Sequence, residues 1–190
     1  MAKGDVLTLA ILGALTESPL HGYELRKRLG AQLGPFRALS YGSLYPALKR
    51  MVAEGLLAAD SGDGATSRRS RISYALTDAG KARLHDELAS ASAHAWDDDA
   101  IDVRFALFTR TDAQTRLRIL EGRRTRLTER LEAVREASRT SRERRDAYTT
   151  ELQRHGLETV EREVEWLDHL SDDERNRLVS NDTPADAGDK

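Results

Sequence analysis

The segment Gly42-Ser43-Leu44-Tyr45-Pro46-Ala47-Leu48-Lys49-Arg50-Met51, followed by Glu54-Gly55-Leu56-Leu57, decides how the 190-residue chain is read. Leu44, Leu48, Met51 and Val52 recur at helical spacing and make one face apolar, while Ser43, Pro46, Lys49, Arg50 and Ala53 fall on the other. The helix starts between Ser40 and Ser43, either of which can cap it. Pro46 favours the later start, where its missing N–H lies in the first turn. Gly55 is a natural C-terminal stop. On the polar face Gly42 and Pro46 leave room for close approach, Lys49 and Arg50 carry charge, and Tyr45 borders them.

Upstream, Asp5 can cap a helix carrying Val6, Leu7, Leu9, Ile11, Leu12 and Leu15. It is apolar nearly all round, so it belongs at the centre of a core, and Ser18-Pro19 ends it. A second helix is predicted from about His21 to Leu33, with Leu25, Leu29 and Leu33 at spacings of four and Gly34-Pro35 as its stop. Downstream the period changes. Leu56–Asp60 reads as a strand, the following Ser/Gly/Asp-rich residues as a turn, and Ile72, Tyr74 and Leu76 alternate as a strand should. Arg68, Arg69 and Arg71 flank the tip of this β-hairpin. Thr77-Asp78-Ala79-Gly80 opens a fourth helix running to roughly Ala93.

A polar break over His94–Asp102 holds Trp96 and Asp97-Asp98-Asp99, and two long helical segments follow. The first, about Asp112–Arg139, repeats Leu117, Leu120, Leu127, Leu131 and Val134, interrupted once by Arg124. The second, about Glu143–Leu170, repeats Leu157, Val160, Val164 and Leu167. Such seams suit coiled-coil-like packing. The predicted fold is therefore mainly α with a small β-hairpin. A winged helix-turn-helix domain covers residues 1–92, a long-helix dimerisation domain 93–178, and a polar, disordered tail 179–190.

Charged residues make up 33% of the chain, which fits long solvated helices rather than one compact ball. The net charge is −2, but residues 1–80 carry ten Lys/Arg against seven Asp/Glu, so the basic bias lies there. The chain has no cysteine, which excludes disulfides, thiolate catalysis and Cys-bound zinc and suits a cytoplasmic protein. Val6–Leu15 is too short to span a bilayer and has no cleavage site behind it, so neither a membrane nor a signal peptide is expected. His21, His85, His94, His155 and His169 show no metal-ligand spacing. His94 with Asp97, Asp98 and Asp99 reads as helix-start solvation rather than as a cation site, and no metal or cofactor is expected. With no Ser-His-Asp context, glycine-rich phosphate loop or paired carboxylates in an apolar setting, the chain is not expected to be an enzyme.

Three helices followed by a two-stranded wing can read duplex DNA. A helix in the major groove offers small and polar side chains to base edges, and the hairpin loop reaches phosphate or the minor groove. The quoted helix and its exit resemble those of the PadR family. His21-Gly22-Tyr23-Glu24-Leu25 resembles the start of that family's second helix, and Arg68-Arg69 with Ser73–Gly80 its wing and the turn that follows. These three motifs cover about residues 5–90, and the remainder resembles the longer PadR subtype with C-terminal dimerising helices. The connector Arg37-Ala38-Leu39 departs from the family in lacking an aromatic residue.

The resemblance implies a homodimeric regulator, usually a repressor, on a pseudo-palindromic operator in double-stranded DNA. It assigns Tyr41, Gly42, Ser43, Tyr45, Pro46 and Lys49 to DNA contact from the recognition helix, and Arg50, beside Lys49 on the polar face, is a further candidate. Tyr23 and Lys27 would approach phosphate from the second helix, and Arg68, Arg69 and Arg71 from the wing. Trp96 is a candidate effector or dimer-interface residue. Leu117, Leu120, Leu127, Leu131, Val160, Val164, Trp166 and Leu167 are candidates for dimerisation. A small-molecule effector is compatible with this reading. The alternative is a winged-helix, coiled-coil adaptor that binds protein without specific DNA binding, since fold alone does not fix function.

Overall fold

A computed structural model describes residues 3–33, 41–60, 72–98, 100–140 and 146–182. The chain divides into two compact units, Met1–Asp112 and Ala113–Lys190. The first runs α1 (Lys3–Ala14), β1 (Leu20–His21), α2 (Gly22–Leu33), α3 (Tyr41–Ala53), β2 (Leu57–Asp60), β3 (Ser73–Leu76), α4 (Asp78–Ala89) and α5 (Ile101–Ala106), with 3₁₀ turns at Ala93–Trp96 and Phe108–Arg110. It has the expected mainly helical, winged helix-turn-helix plan.

Because α1 is apolar on every side, it occupies the centre, and α2, α3, α4 and α5 all pack against it. Leu9, Ile11, Leu12, Ala14 and Leu15 are buried there. The helix begins at Lys3, so Asp5 sits in its first turn rather than capping it, where its charge still opposes the positive end of the helix dipole.

The third helix takes the earlier of the two starts. It opens at Tyr41, which places Pro46 beyond the first turn, where an interior proline costs roughly 3 kcal/mol. Burial offsets that cost: Leu44, Ala47, Leu48 and Met51 all face the core, and each large side chain contributes roughly 1.5–3 kcal/mol. The helix ends in a two-bond C-terminal cap. Leu56 N–H donates to Met51 O at 2.9 Å and Gly55 N–H to Val52 O at 3.0 Å. This closure needs a left-handed residue, and Gly55 has φ +73°.

The hairpin pairs Leu57 with Leu76 through Asp60 with Ser73. A third strand not expected from sequence, β1, adds to its other edge, pairing Leu20 with Tyr74 and His21 with Ser73 in the order β1-β3-β2. His21 is thus a strand residue and α2 starts at Gly22. The His21 backbone N–H donates to Glu24 Oε2 at 3.1 Å, which anchors the helix start.

Helix α4 ends at Ala89, short of the predicted Ala93. The region expected to be a polar break folds instead into the 3₁₀ turn and α5, with Arg104 only 2% exposed. Arg104 donates to Glu87 O at 2.5 Å and Ser90 O at 2.9 Å, and meets Glu87 Oε2 at 3.3 Å. It thereby satisfies carbonyls at the C-terminal end of α4, where a cation also suits the dipole. Burial, opposed by the Glu87 charge, draws its pKa below the usual arginine value. Since α5 packs on α1 and α2, this unit continues to Asp112, beyond the break at residue 92 read from sequence.

The second unit is a helical pair, α6 (Ala113–Thr140) and α7 (Ala147–Asp182). Arg116 meets Glu174 at 2.7 Å and Arg123 meets Glu163 at 2.8 Å. Ion pairs Arg124–Asp168 and Arg135–Glu161 continue the sequence, so the helices run antiparallel. Helix α7 extends past Leu170 because Ser171 and Glu174 are buried rather than terminal. It reaches Asp182, so residues 179–182 are helical; the rest of the expected disordered tail, 183–190, lies outside the described residues.

Candidate nucleic-acid interface

One side of α3 is committed to the core, and the other carries Gly42, Ser43, Tyr45, Pro46, Lys49 and Arg50, all exposed. The helical periodicity that buries Leu44, Ala47, Leu48 and Met51 leaves this row outward. Tyr41 opens the helix, but its side chain lies outside the described residues, as do Arg68, Arg69 and Arg71. On α2, Tyr23 is 66% exposed and Lys27 is exposed, while Gly22, Leu25 and Leu29 are buried.

Tyr45 joins the two helices. Its ring lies over Gly22 so closely that a Cβ there would sit 3.0 Å from Tyr45 Cε1 and 3.2 Å from its hydroxyl oxygen. At 40% exposure, Tyr45 packs with one edge and leaves the other to solvent. Tyr74 is core, as its alternation suggested; burial, aided by the neighbouring Tyr45 phenol, pushes its pKa up.

Lys49 and Arg50 differ. The Arg50 guanidinium donates to Thr8 Oγ1 at 2.9 Å and sits 3.6 Å from Glu54. It is held at the C-terminal end of α3 by α1, a long-range contact that helical periodicity could not reveal.

The exit of the wing meets the end of α3 at Thr77. Thr77 Oγ1 lies 2.6 Å from Gly55 O and 3.0 Å from Leu56 O, and accepts the Gly80 N–H at 3.0 Å. Thr77-Asp78-Ala79-Gly80 reads in the sequence as the opening of a helix; the Thr77 cap and its contact with the end of α3 appear only in the fold.

Among the remaining candidates, Trp96 is half-buried at the end of its 3₁₀ turn. His94 Nδ1 stands 3.4 Å from Asp97 Oδ2, and among the described residues no group of three or more His, Cys, Asp or Glu is placed to hold a metal. Nor is any described helix long and apolar enough to cross a membrane. In the second unit Leu120, Leu127, Leu131 and Leu167 are buried, Leu117, Val160 and Val164 are half-buried, and Trp166 is 44% exposed. A cavity of about 430 Å³ opens in the first unit beside β3, with Leu15, Leu76, Leu84 and Leu88 as its floor and Lys81, His85, Arg110 and the Glu17 carboxylate that pairs with Arg110 at its rim.

Residues 11–86 match the sequence model of the transcriptional regulator PadR-like family. The chain is similar to the negative transcriptional regulator PadR of Bacillus subtilis, 36% identical over 83 residues, which span 44% of this chain and 45% of that relative. Solved structures similar to it include Bacillus subtilis PadR with operator DNA, at 23% identity over 89% of this chain and 99% of that one, TM-score 0.41. Another is the same protein with p-coumaric acid, at 22% identity over 90% and 99%, TM-score 0.38. The stretch similar to the transcriptional regulator PadR-like family is residues 11–86, which hold α2, α3, the wing strands and Thr77.

Proposed function

We propose that the chain is a sequence-specific DNA-binding transcriptional repressor, acting in the cytoplasm as a homodimer on a pseudo-palindromic operator. The observation that carries this is the exposed row Gly42, Ser43, Tyr45, Pro46 and Lys49 on α3, flanked by Tyr23 and Lys27 of α2, inside a PadR-like domain. Small residues on that row permit close approach to a groove, Lys49 and Lys27 suit phosphate, and Ser43 and Tyr45 offer hydrogen-bonding hydroxyls. Arg50 is assigned a lesser part because Thr8 and Glu54 already engage it. Arg68, Arg69 and Arg71 are assigned to the backbone beside the wing.

Repression is the role printed for the 36%-identical relative. A dimer follows from the physics of specificity: one helix and one wing contact too little DNA, and two half-sites multiply it. Trp166 is the exposed large apolar candidate for the contact between copies, whereas Leu120, Leu127, Leu131 and Leu167 serve first to hold their own helices.

Ligand response is the second reading, favoured by the cavity beside β3, whose apolar floor and polar rim of Lys81, His85 and the Arg110–Glu17 ion pair suit a small organic molecule with a polar end. Trp96 does not line that cavity. The test of the main reading is selection of a binding sequence from a randomised duplex pool, followed by footprinting. Enrichment of a two-fold-related site supports it; binding to no duplex at low salt would favour the protein-adaptor alternative.

A further inference from the structure

We infer that Thr77 is a positioning residue for DNA readout: its hydroxyl ties the end of the recognition helix to the exit of the wing, so that helix and wing meet the duplex at one fixed angle. This rests on the DNA-binding reading above. The joint is crowded. Leu56 O is approached by Thr77 N at 3.2 Å and Thr77 Oγ1 at 3.0 Å. A Cβ at Gly80 would fall 2.2 Å from the same oxygen, so no other residue fits there without moving the backbone of one partner. Thr77 Oγ1 has one proton to donate, shared between Gly55 O and Leu56 O, and its lone pairs accept the Gly80 amide.

The hydroxyl therefore has two separable jobs. As acceptor it caps α4, which is local and structural. As donor it holds the Gly55–Leu56 turn, where the chain reverses out of α3 through a left-handed glycine. Lys49 lies six residues before Gly55, roughly 9 Å along the helix, so a small rotation at the joint moves the DNA-facing row by a comparable lever. Base contacts tolerate such displacement poorly, whereas phosphate contacts made by long flexible side chains absorb it.

Thr77→Asp separates the two jobs. A carboxylate still accepts from the Gly80 amide but has no proton for Gly55 O. Thr77→Ser keeps both functions and Thr77→Val loses both. The full-length chain is titrated against a fluorescent duplex selected by the wild type and against a shuffled duplex of equal composition. The selected-to-shuffled affinity ratio should stay within about twofold for Thr77→Ser and fall at least about tenfold for Thr77→Asp, at matched helicity. Should Thr77→Asp fail to fold, the affinity ratio is read in Thr77→Val, which lacks the cap as well as the donor. Without DNA, exchange of the Thr77 amide should speed at least about tenfold in Thr77→Asp while the Gly80 amide stays protected. A wild-type ratio in folded Thr77→Asp or Thr77→Val, or unchanged Thr77 amide exchange, overturns the inference. A wild type that prefers no duplex overturns the DNA reading instead, and the exchange measurement still decides the joint.

Discussion

The Tyr45 ring rests on the Cα of Gly22, leaving 3.0 Å between Tyr45 Cε1 and the place a Cβ would take. The first residue of α2 thus sets the position of an aromatic side chain on the exposed row of α3. Gly22→Ala should displace that ring by a few tenths of an ångström. Alanine is also the better helix former, so the expected melting temperature moves by no more than a few degrees. Affinity for the selected duplex should fall about three- to tenfold in a fluorescence titration; unchanged affinity would show that Tyr45 does not touch DNA.

Lys49 and Arg50 should separate in salt titrations. Lys49→Ala is expected to weaken binding and reduce the slope of log K against log salt by about one, as loss of one phosphate contact does. Arg50→Ala should change the slope by much less, since Thr8 and Glu54 hold its guanidinium. Equal slope changes for the two would place Arg50 on the duplex as well.

Arg104→Met should destabilise the first unit. It removes one of the two arginines on Glu87, leaving Arg83, and takes the side-chain donor from Glu87 O and Ser90 O, of which Glu87 O keeps only the Ser90 N–H, in a site where Arg104 is 2% exposed. Breaking a buried pair of this kind costs about 3–5 kcal/mol, less here because Glu87 is partly solvated. Urea denaturation should show a loss of roughly 2–4 kcal/mol. A loss under about 1 kcal/mol would mean that water replaces the clamp.

In the helical pair, Leu167→Ala should cost about 2–5 kcal/mol, because Leu167 is fully buried. Trp166→Ala should leave helicity intact and instead lower the dimer fraction in sedimentation equilibrium, given its 44% exposure. A Trp166→Ala chain that dimerises as tightly as the wild type would move the contact between copies elsewhere.

These contrasts trace what periodicity can and cannot carry. Leu44, Leu48 and Met51 announced the buried face of α3, and Gly55 its end, because both are local consequences of helix geometry. Ala47 is equally buried but too small to stand out. Strand β1 is only Leu20–His21, too short to alternate, and exists because β3 offers an edge. Nothing local in the sequence marks Arg104 or Arg123 for burial; each is buried where a distant residue, Glu87 or Glu163, meets it. Arg124, which interrupted the apolar seam, is exposed and pairs with Asp168. On the interface itself, the exposed row of α3 was legible, whereas the Tyr45–Gly22 contact, the Arg50–Thr8 bond and the Thr77 joint depend on chain segments brought together only by folding.

The most direct test is a footprint of the full-length protein on its selected duplex at physiological salt. Two protected, two-fold-related half-sites about one helical turn apart are expected, with at least about a thousandfold preference over shuffled DNA. Protection of a single asymmetric stretch, or equal binding to both duplexes, would contradict it.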